Sequence, residues 1–196
     1  MIISKPVRSS KKTAVFLDRD GVINREVNYC HRIEDFVFVP GVFEVLKMLQ
    51  KKFDHLFIVT NQAGIGKGFY SEKQYSILTS WMISMLNDEG VNITKVYFCP
   101  HHISGIYPYN IDCDCRKPKP GMIDLAVQEY NIDVSKSIFI GDKSSDIRAA
   151  QNANLERKIL MGTGHITTHE DRSSSDLFFN SMEELFCFLK QDLFPN

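Results

Sequence analysis

The sequence predicts an α/β fold, a doubly wound Rossmann-like parallel sheet with helices on both faces. Two observations carry this. Short β-rich apolar runs alternate with helical patterns along most of the chain, the signature of βαβ units joined by right-handed crossovers. Polar residues gather just behind several of the runs: Asp18 and Asp20, Thr60 and Asn61, Asp142 and Lys143. In an open α/β sheet the ligand crevice lies outside the carboxyl ends of the strands. Three strands are therefore expected to deliver their polar residues to one place.

The elements follow in order. "AVFL" (14–17) is the first strand, and "GVFEVLKMLQKK" the first helix, with Val42, Val45, Leu46 and Leu49 on one face. "HLFIVT" (55–60) precedes a long helix in "SEKQYSILTSWMISMLNDEG", with Ser71 as N-cap and Gly90 just past its end. "KVYFCP" is the third strand. After a loop, "PGMIDLAVQEYN" starts a helix at a proline. "SIFIG" leads into "SSDIRAAQNAN", and "KILM" into the final helix "SMEELFCFLKQ". The serine-rich run "THEDRSSSD" (168–176) is expected to be a surface loop, and residues 1–12 a loosely held tail before a single domain over 13–196.

Bulk properties narrow the class. The chain has 196 residues, a net charge of −1 and 43% hydrophobic residues, enough for one sizeable core. No charge excess points to nucleic acid or to an acidic membrane. The run "TAVFL" behind the basic start is too short for a secretory signal. Five cysteines, three of them clustered, suit a reducing compartment and a bound metal better than disulfides. A cytoplasmic protein is expected.

"FLDRDGVIN" (16–24) ends a strand with two acids one residue apart, which repel unless something positive lies between them. Alone, Asp-x-Asp reads as a turn or cap. Asp142 adds a third carboxylate, and Mg²⁺ is the natural cation for a few oxygens with water and substrate phosphate. Thr60 adds a hydroxyl and Lys117, in "CRKPKPGM", a fixed positive charge. Together these residues make a phosphoryl-transfer site. Taken singly, Asp142 reads as the cap of the helix starting near Ser144. Asp146 either supports the ligands or faces the helix dipole. Lys143 is either solvated or turned to the site, and Asn61 either binds substrate or holds the Asp20 loop.

"FLDRDGVIN", "VTNQAGIGKG", "CDCRKPKPG" and "IGDKSSD" resemble, in order and spacing, the four motifs of the haloacid dehalogenase superfamily of phosphatases. The resemblance spans Phe16 to Asp146. It implies that Asp18 is the nucleophile, forming an aspartyl-phosphate. Asp20 would protonate the leaving alkoxide and then activate water. Asp18, the Asp20 backbone carbonyl and Asp142 would hold Mg²⁺, while Thr60 and Lys117 neutralise the phosphoryl oxygens. The gaps between motifs are too short for a large inserted domain, so a minimal cap and an open site are expected.

"CPHH" (99–102) and "CDC" (113–115) close one loop with Cys-x-His and Cys-x-Cys, a donor set for a structural Zn²⁺. By the family pattern the ligands are Cys99, His101, Cys113 and Cys115, with His102 spare. The metal would then pin the loop that presents Arg116 and Lys117. Cys30 and Cys187 read as filling. "GIGKG" (64–68) lacks the Ser or Thr of a P-loop and reads as a flexible substrate loop, and Gly162 and Gly164 in "GTGH" as a turn.

Among zinc-loop members the motifs look more like the D-glycero-D-manno-heptose-1,7-bisphosphate 7-phosphatases than the histidinol-phosphatases. This implies a small phosphorylated sugar as substrate, a monomer, and a place in making the activated heptose of lipopolysaccharide core or related glycans. A bisphosphate needs a second cationic contact. Arg116, a bidentate fork, is the first candidate and Lys143 the next. Glu26 and Tyr29 align with substrate-contacting positions of the family, Glu26 where an aspartate is expected, and Asn61 and Gln62 complete the set. The alternatives are a histidinol-phosphatase, a polynucleotide 3′-phosphatase, which the near-neutral charge disfavours, and a catalytically dead zinc module, which would lack one of the site residues.

Overall fold

The computed structural model describes residues 10–165 and 167–193. Six parallel strands, β1 (Ala14–Leu17), β2 (His55–Asn61), β3 (Lys95–Cys99), β4 (Ile138–Gly141), β5 (Arg157–Met161) and β6 (Leu177–Phe179), form one sheet in the order β3-β2-β1-β4-β5-β6. The helices are α1 (Val42–Lys52), α2 (Ala63–Gly66), α3 (Glu72–Asp88), α4 (Gly121–Tyr130), α5 (Ser144–Asn152), α6 (His169–Ser174) and α7 (Met182–Leu193).

The period-2 geometry of a strand sends alternate side chains to opposite faces, and both faces here are buried. Val15 and Leu17 of β1, Leu56 and Ile58 of β2, and Ile138 and Ile140 of β4 join one core with residues of α1, α3 and α7. Phe16, Phe57 and Phe139, held in register across the same strands, join a second core with α4 and α5. Burying each such side chain contributes roughly 1.5–3 kcal/mol. A strand buried on both sides has no amphipathic alternation, and β1 shows none.

Local signals place the helix ends. The face of α1 carrying Val42, Val45, Leu46 and Leu49 is buried. Ser71 caps α3 reciprocally: its Oγ accepts from the Gln74 N–H at 3.2 Å, and the Gln74 side chain accepts from the Ser71 N–H at 2.9 Å. Gly90 takes the left-handed conformation (φ 78°) just beyond it.

Three readings change. The run expected to be a surface loop contains α6, because Thr168 and Asp171 cap it reciprocally, with Thr168 Oγ1 accepting from the Asp171 N–H at 3.1 Å. β6 follows α6, so β5 does not lead directly into the last helix. "GIGKG", expected to be a flexible loop, is largely the helical turn α2, and its Gly66 carbonyl accepts from the Ile106 N–H at 2.7 Å. Of the expected tail, residues 1–9 lie outside the described residues. Lys12 bridges to Ile132, and its ammonium lies 3.1 Å from Asp54. Among the described residues no helix is long and apolar enough to cross a membrane. The stretch from Asn24 to Pro40 holds a single 3₁₀ turn (Ile33–Asp35) and no inserted domain.

Candidate active site

The strand order reverses between β1 and β4, and a crevice opens at the carboxyl ends of such a pair. Asp18 follows β1 and Asp142 follows β4, and the Asp18 N–H donates to the Ile140 carbonyl at 3.0 Å, locking the two ends together. Thr60 and Asn61 end β2 on the other side of β1. The three strand ends therefore converge, and beside them lies a cavity of about 320 Å³ lined in part by Asp20, Glu26, Tyr29, Arg116, Lys117 and Lys143.

Asp18 is buried, and its Oδ1 lies 2.9 Å from Lys117 Nζ. Burial lifts its pKa to about 6, opposed by the Lys117 charge and reinforced by Asp146. Lys117 is buried too; its ammonium also contacts Asp146 Oδ1 at 2.7 Å and donates to the Val59 carbonyl at 2.7 Å. Burial alone would lower the Lys117 pKa, but the two carboxylates hold it above the ordinary lysine value. Asp146 is thus fixed in two ways: its other oxygen accepts from the Asp142 and Lys143 N–H groups, each at 3.1 Å, at the start of α5. Asp142 does not supply that cap.

The Asp142 side chain is fully buried and its Oδ1 has no hydrogen-bond partner, while Oδ2 meets His165 Nδ1 at 2.7 Å. Burial raises the Asp142 pKa, and the His165 contact offsets it in part. Ligand oxygens of Asp18, Asp142 and Asp146 lie within 4.8 Å of one another. A bare buried carboxylate oxygen in an all-oxygen cluster is costly unless a cation meets it, so these residues fit a hard divalent metal. The backbone is shaped around them. A Cβ on Gly21 (φ 87°) would stand 2.3 Å from Asp142 Oδ2, and one on Gly164 would stand 2.0 Å from it.

Asp20 faces the cavity edge and is gripped by donors. Arg19 Nη2 reaches its two oxygens at 2.8 and 3.0 Å, Asn24 Nδ2 at 3.0 Å and Gln62 Nε2 at 3.1 Å. Burial would raise its pKa, but Arg19 and Asn24 outweigh that and hold it below the ordinary carboxylate value. Gln62 also donates to Thr60 Oγ1 at 2.8 Å and accepts from the Tyr70 hydroxyl. Its amide is therefore spent on positioning. Asn61 holds the Lys117 backbone at both ends, Nδ2 to the carbonyl at 3.0 Å and Oδ1 from the N–H at 3.1 Å. It ties down the Lys117 loop and makes no bond to Asp20. Lys143 turns to the cavity and pairs with Glu26 at 3.2 Å.

Two residues here escaped the sequence reading. Arg19 is 1% exposed, with its guanidinium on Asp20, the Cys30 carbonyl at 2.8 Å and the Tyr75 ring. An arginine between two acids reads as a solvated charge, and only the fold shows it buried. His165 follows β5, and the crevice rule that found Asp142 applies equally to it.

Away from the cavity, Cys99, His101, Cys113 and Cys115 bring their donor atoms within 4.8 Å of one another. The sulfur–sulfur distances of 3.1 to 3.4 Å are far too long for disulfides, and all three cysteines are free. Three thiols and an imidazole turned on one point make a soft donor set that could hold a metal. His102 lies outside this cluster and lines the cavity. Cys30 is buried and Cys187 exposed.

The HAD-hydrolase-like family model matches residues 114–185. A D-glycero-alpha-D-manno-heptose-1,7-bisphosphate 7-phosphatase of Photorhabdus laumondii is 46% identical over 176 residues, covering 88% of this chain and 96% of that protein. A D-glycero-beta-D-manno-heptose-1,7-bisphosphate 7-phosphatase of Haemophilus ducreyi is 46% identical over 175 residues, covering 89% and 96%. Among solved structures, the D,D-heptose 1,7-bisphosphate phosphatase of B. bronchiseptica, complexed with magnesium and phosphate, shares the fold with a TM-score of 0.77 at 23% identity, over 92% of this chain and 99% of that one.

Proposed function

Because this chain belongs to the haloacid-dehalogenase-like heptose-1,7-bisphosphate 7-phosphatases, we propose that it removes the C7 phosphate of D-glycero-D-manno-heptose 1,7-bisphosphate in a Mg²⁺-dependent reaction through an aspartyl-phosphate on Asp18. The product keeps its anomeric phosphate, the group that activation with a nucleotide requires. The observation that carries the reading is the buried Asp18 carboxylate, 2.9 Å from Lys117, with the bare Asp142 oxygen close by, next to a polar cavity that Asp20 and Lys117 line. At about 320 Å³ that cavity lies at the small end of ligand sites and suits a compact polar substrate.

Asp18 attacks phosphorus, and the P–O bond to the sugar C7 oxygen breaks as the new bond forms. Lys117 stands beside the transferring group. Thr60 Oγ1, whose lone pair is engaged by Gln62, has its proton free for a phosphoryl oxygen. Asp20 gives the departing alkoxide a proton and later takes one from the water that hydrolyses the aspartyl-phosphate. The grip of Arg19, Asn24 and Gln62 favours the ionised Asp20, the form the second step needs. The first step needs the protonated form, so substrate binding must loosen part of that grip. Asp18, the Asp20 carbonyl and Asp142 would hold Mg²⁺, which supplies charge neutralisation when bound. The thiolate cluster would hold Zn²⁺ and so fix the segment that leads from Cys115 to Arg116 and Lys117. Arg116 is the contact for the second phosphate, and Glu26 and Tyr29 form the cavity wall that meets the sugar.

The test is kcat/KM for phosphate release, with Mg²⁺, from the heptose bisphosphate against histidinol phosphate. The reading expects a preference of about a hundredfold, roughly 2.7 kcal/mol of transition-state discrimination. Equal rates, or a preference for histidinol phosphate, refute the substrate and leave the phosphatase chemistry standing.

A further inference from the structure

Two of the four lysine and arginine side chains that line the cavity have no carboxylate partner among the described residues. Lys117 is matched by Asp18 and Asp146, and Lys143 by Glu26. Arg116 and Lys67 line the same cavity, and neither has a carboxylate partner among the described residues. Arg116 Nη1 donates to the His101 carbonyl at 3.2 Å, and Lys67 Nζ donates to the Tyr29 hydroxyl at 3.0 Å. Two cations matched only by neutral oxygens, beside an open polar cavity, are arranged for an anion that arrives with the ligand.

The partner of Lys67 sharpens this. A phenol oxygen that accepts from Lys67 must turn its own proton elsewhere, so the pair presents donors from both side chains. Tyr29 is held in place: its backbone is left-handed (φ 62°), its carbonyl meets His31 Nδ1 at 2.8 Å, and its ring stands edge-on to Phe69 at 4.7 Å. Lys67 is anchored by its N–H to the Ala63 carbonyl at 2.9 Å. The turn before it is tied to the loop ahead of Arg116 by the Ile106 N–H to the Gly66 carbonyl at 2.7 Å. The segments carrying the two cations are thus joined by the backbone.

We propose that Lys67, backed by Tyr29, is a specificity-determining residue that joins Arg116 in clamping the phosphate remote from Asp18; this rests on the bisphosphate reading of the site. A sugar carrying only the reacting phosphate leaves the clamp empty, so its contribution appears with the bisphosphate alone and chiefly in KM.

The experiment compares kcat/KM for the heptose 1,7-bisphosphate and for the same heptose 7-phosphate, in the wild type, Lys67→Met and Lys67→Arg. Lys67→Met is expected to lower the preference for the bisphosphate about ten- to hundredfold, the range of a charge-assisted hydrogen bond. Lys67→Arg should keep most of the preference. A wild-type preference that survives Lys67→Met unchanged overturns the clamp and leaves the bisphosphate reading intact. A wild type that treats both sugars alike overturns the two together.

Discussion

Replacing Asp18 with Asn should abolish turnover and also change how the stability of the Mg²⁺-free protein responds to pH. Burial lifts the Asp18 pKa from the ordinary 3.8 to about 6, despite Lys117 at 2.9 Å. Between those values the folded protein keeps a proton that the unfolded chain has released. The unfolded state therefore binds fewer protons, and stability falls as pH rises through this window. At roughly 1.4 kcal/mol per tenfold change in proton affinity, the loss is about 3 kcal/mol, complete by about pH 7. Asn does not titrate. Asp142 and His165, whose pKa values are also raised, act in the same direction but remain in both proteins and drop out of the difference to first order. Urea unfolding at about pH 4.5 and about pH 7.5 should therefore show the variant gaining on the wild type by most of that amount. The protein should be freed of Mg²⁺ by dialysis without chelator, so that the Zn²⁺ proposed for the cysteine cluster is not stripped. Adding Mg²⁺ at a hundredfold excess over its Kd should return about 2.7 kcal/mol to the wild type at neutral pH and little to the variant. Parallel pH profiles, or equal stabilisation of both proteins by Mg²⁺, would refute the reasoning.

Asp20→Asn should lower kcat/KM, which reports the phosphorylation step, on the sugar phosphate by about 10²–10⁴-fold and much less on p-nitrophenyl phosphate, whose leaving group needs no proton; equal losses of kcat/KM on both esters would contradict the acid role. Cys113→Ser should lower the zinc content proposed for that cluster, measured by atomic emission, and lower both Tm and activity; unchanged metal content and Tm would remove the zinc assignment. Gly164→Ala places a Cβ 2.0 Å from Asp142 Oδ2, so the Mg²⁺ concentration for half-maximal activity should rise about tenfold with circular dichroism unchanged. A Mg²⁺ titration that overlays the wild type would show that Asp142 does not hold the ion.

The sheet was legible because its strands are buried on both faces, so "AVFL", "FIVT" and "SIFIG" read as unbroken apolar runs. The helices with reciprocal caps or clear apolar faces, α1 and α3, were equally readable. α6 and β6 were not: six polar residues held by one Thr168–Asp171 cap carry no period, and a three-residue edge strand is too short for one. At the site, the carboxylates and Lys117 announced themselves through position after a strand or a motif. What pairing alone decides stayed hidden. Arg19 looks like any surface cation until Asp20, the Cys30 carbonyl and Tyr75 are seen around it. Gln62 and Asn61 line the cavity, but only the fold shows that their amides also hold Asp20 and the Lys117 backbone. Gly164 read as a turn, whereas what matters is the room it leaves for Asp142.

The measurement that bears most directly on the account is acid quenching during turnover of the heptose bisphosphate, followed by peptide mass spectrometry. The account predicts one covalent phosphoryl group on the peptide containing Asp18, lost on treatment with hydroxylamine and absent from Asp18→Asn. A phosphoryl group on any other residue, or undiminished turnover by Asp18→Asn, would contradict it.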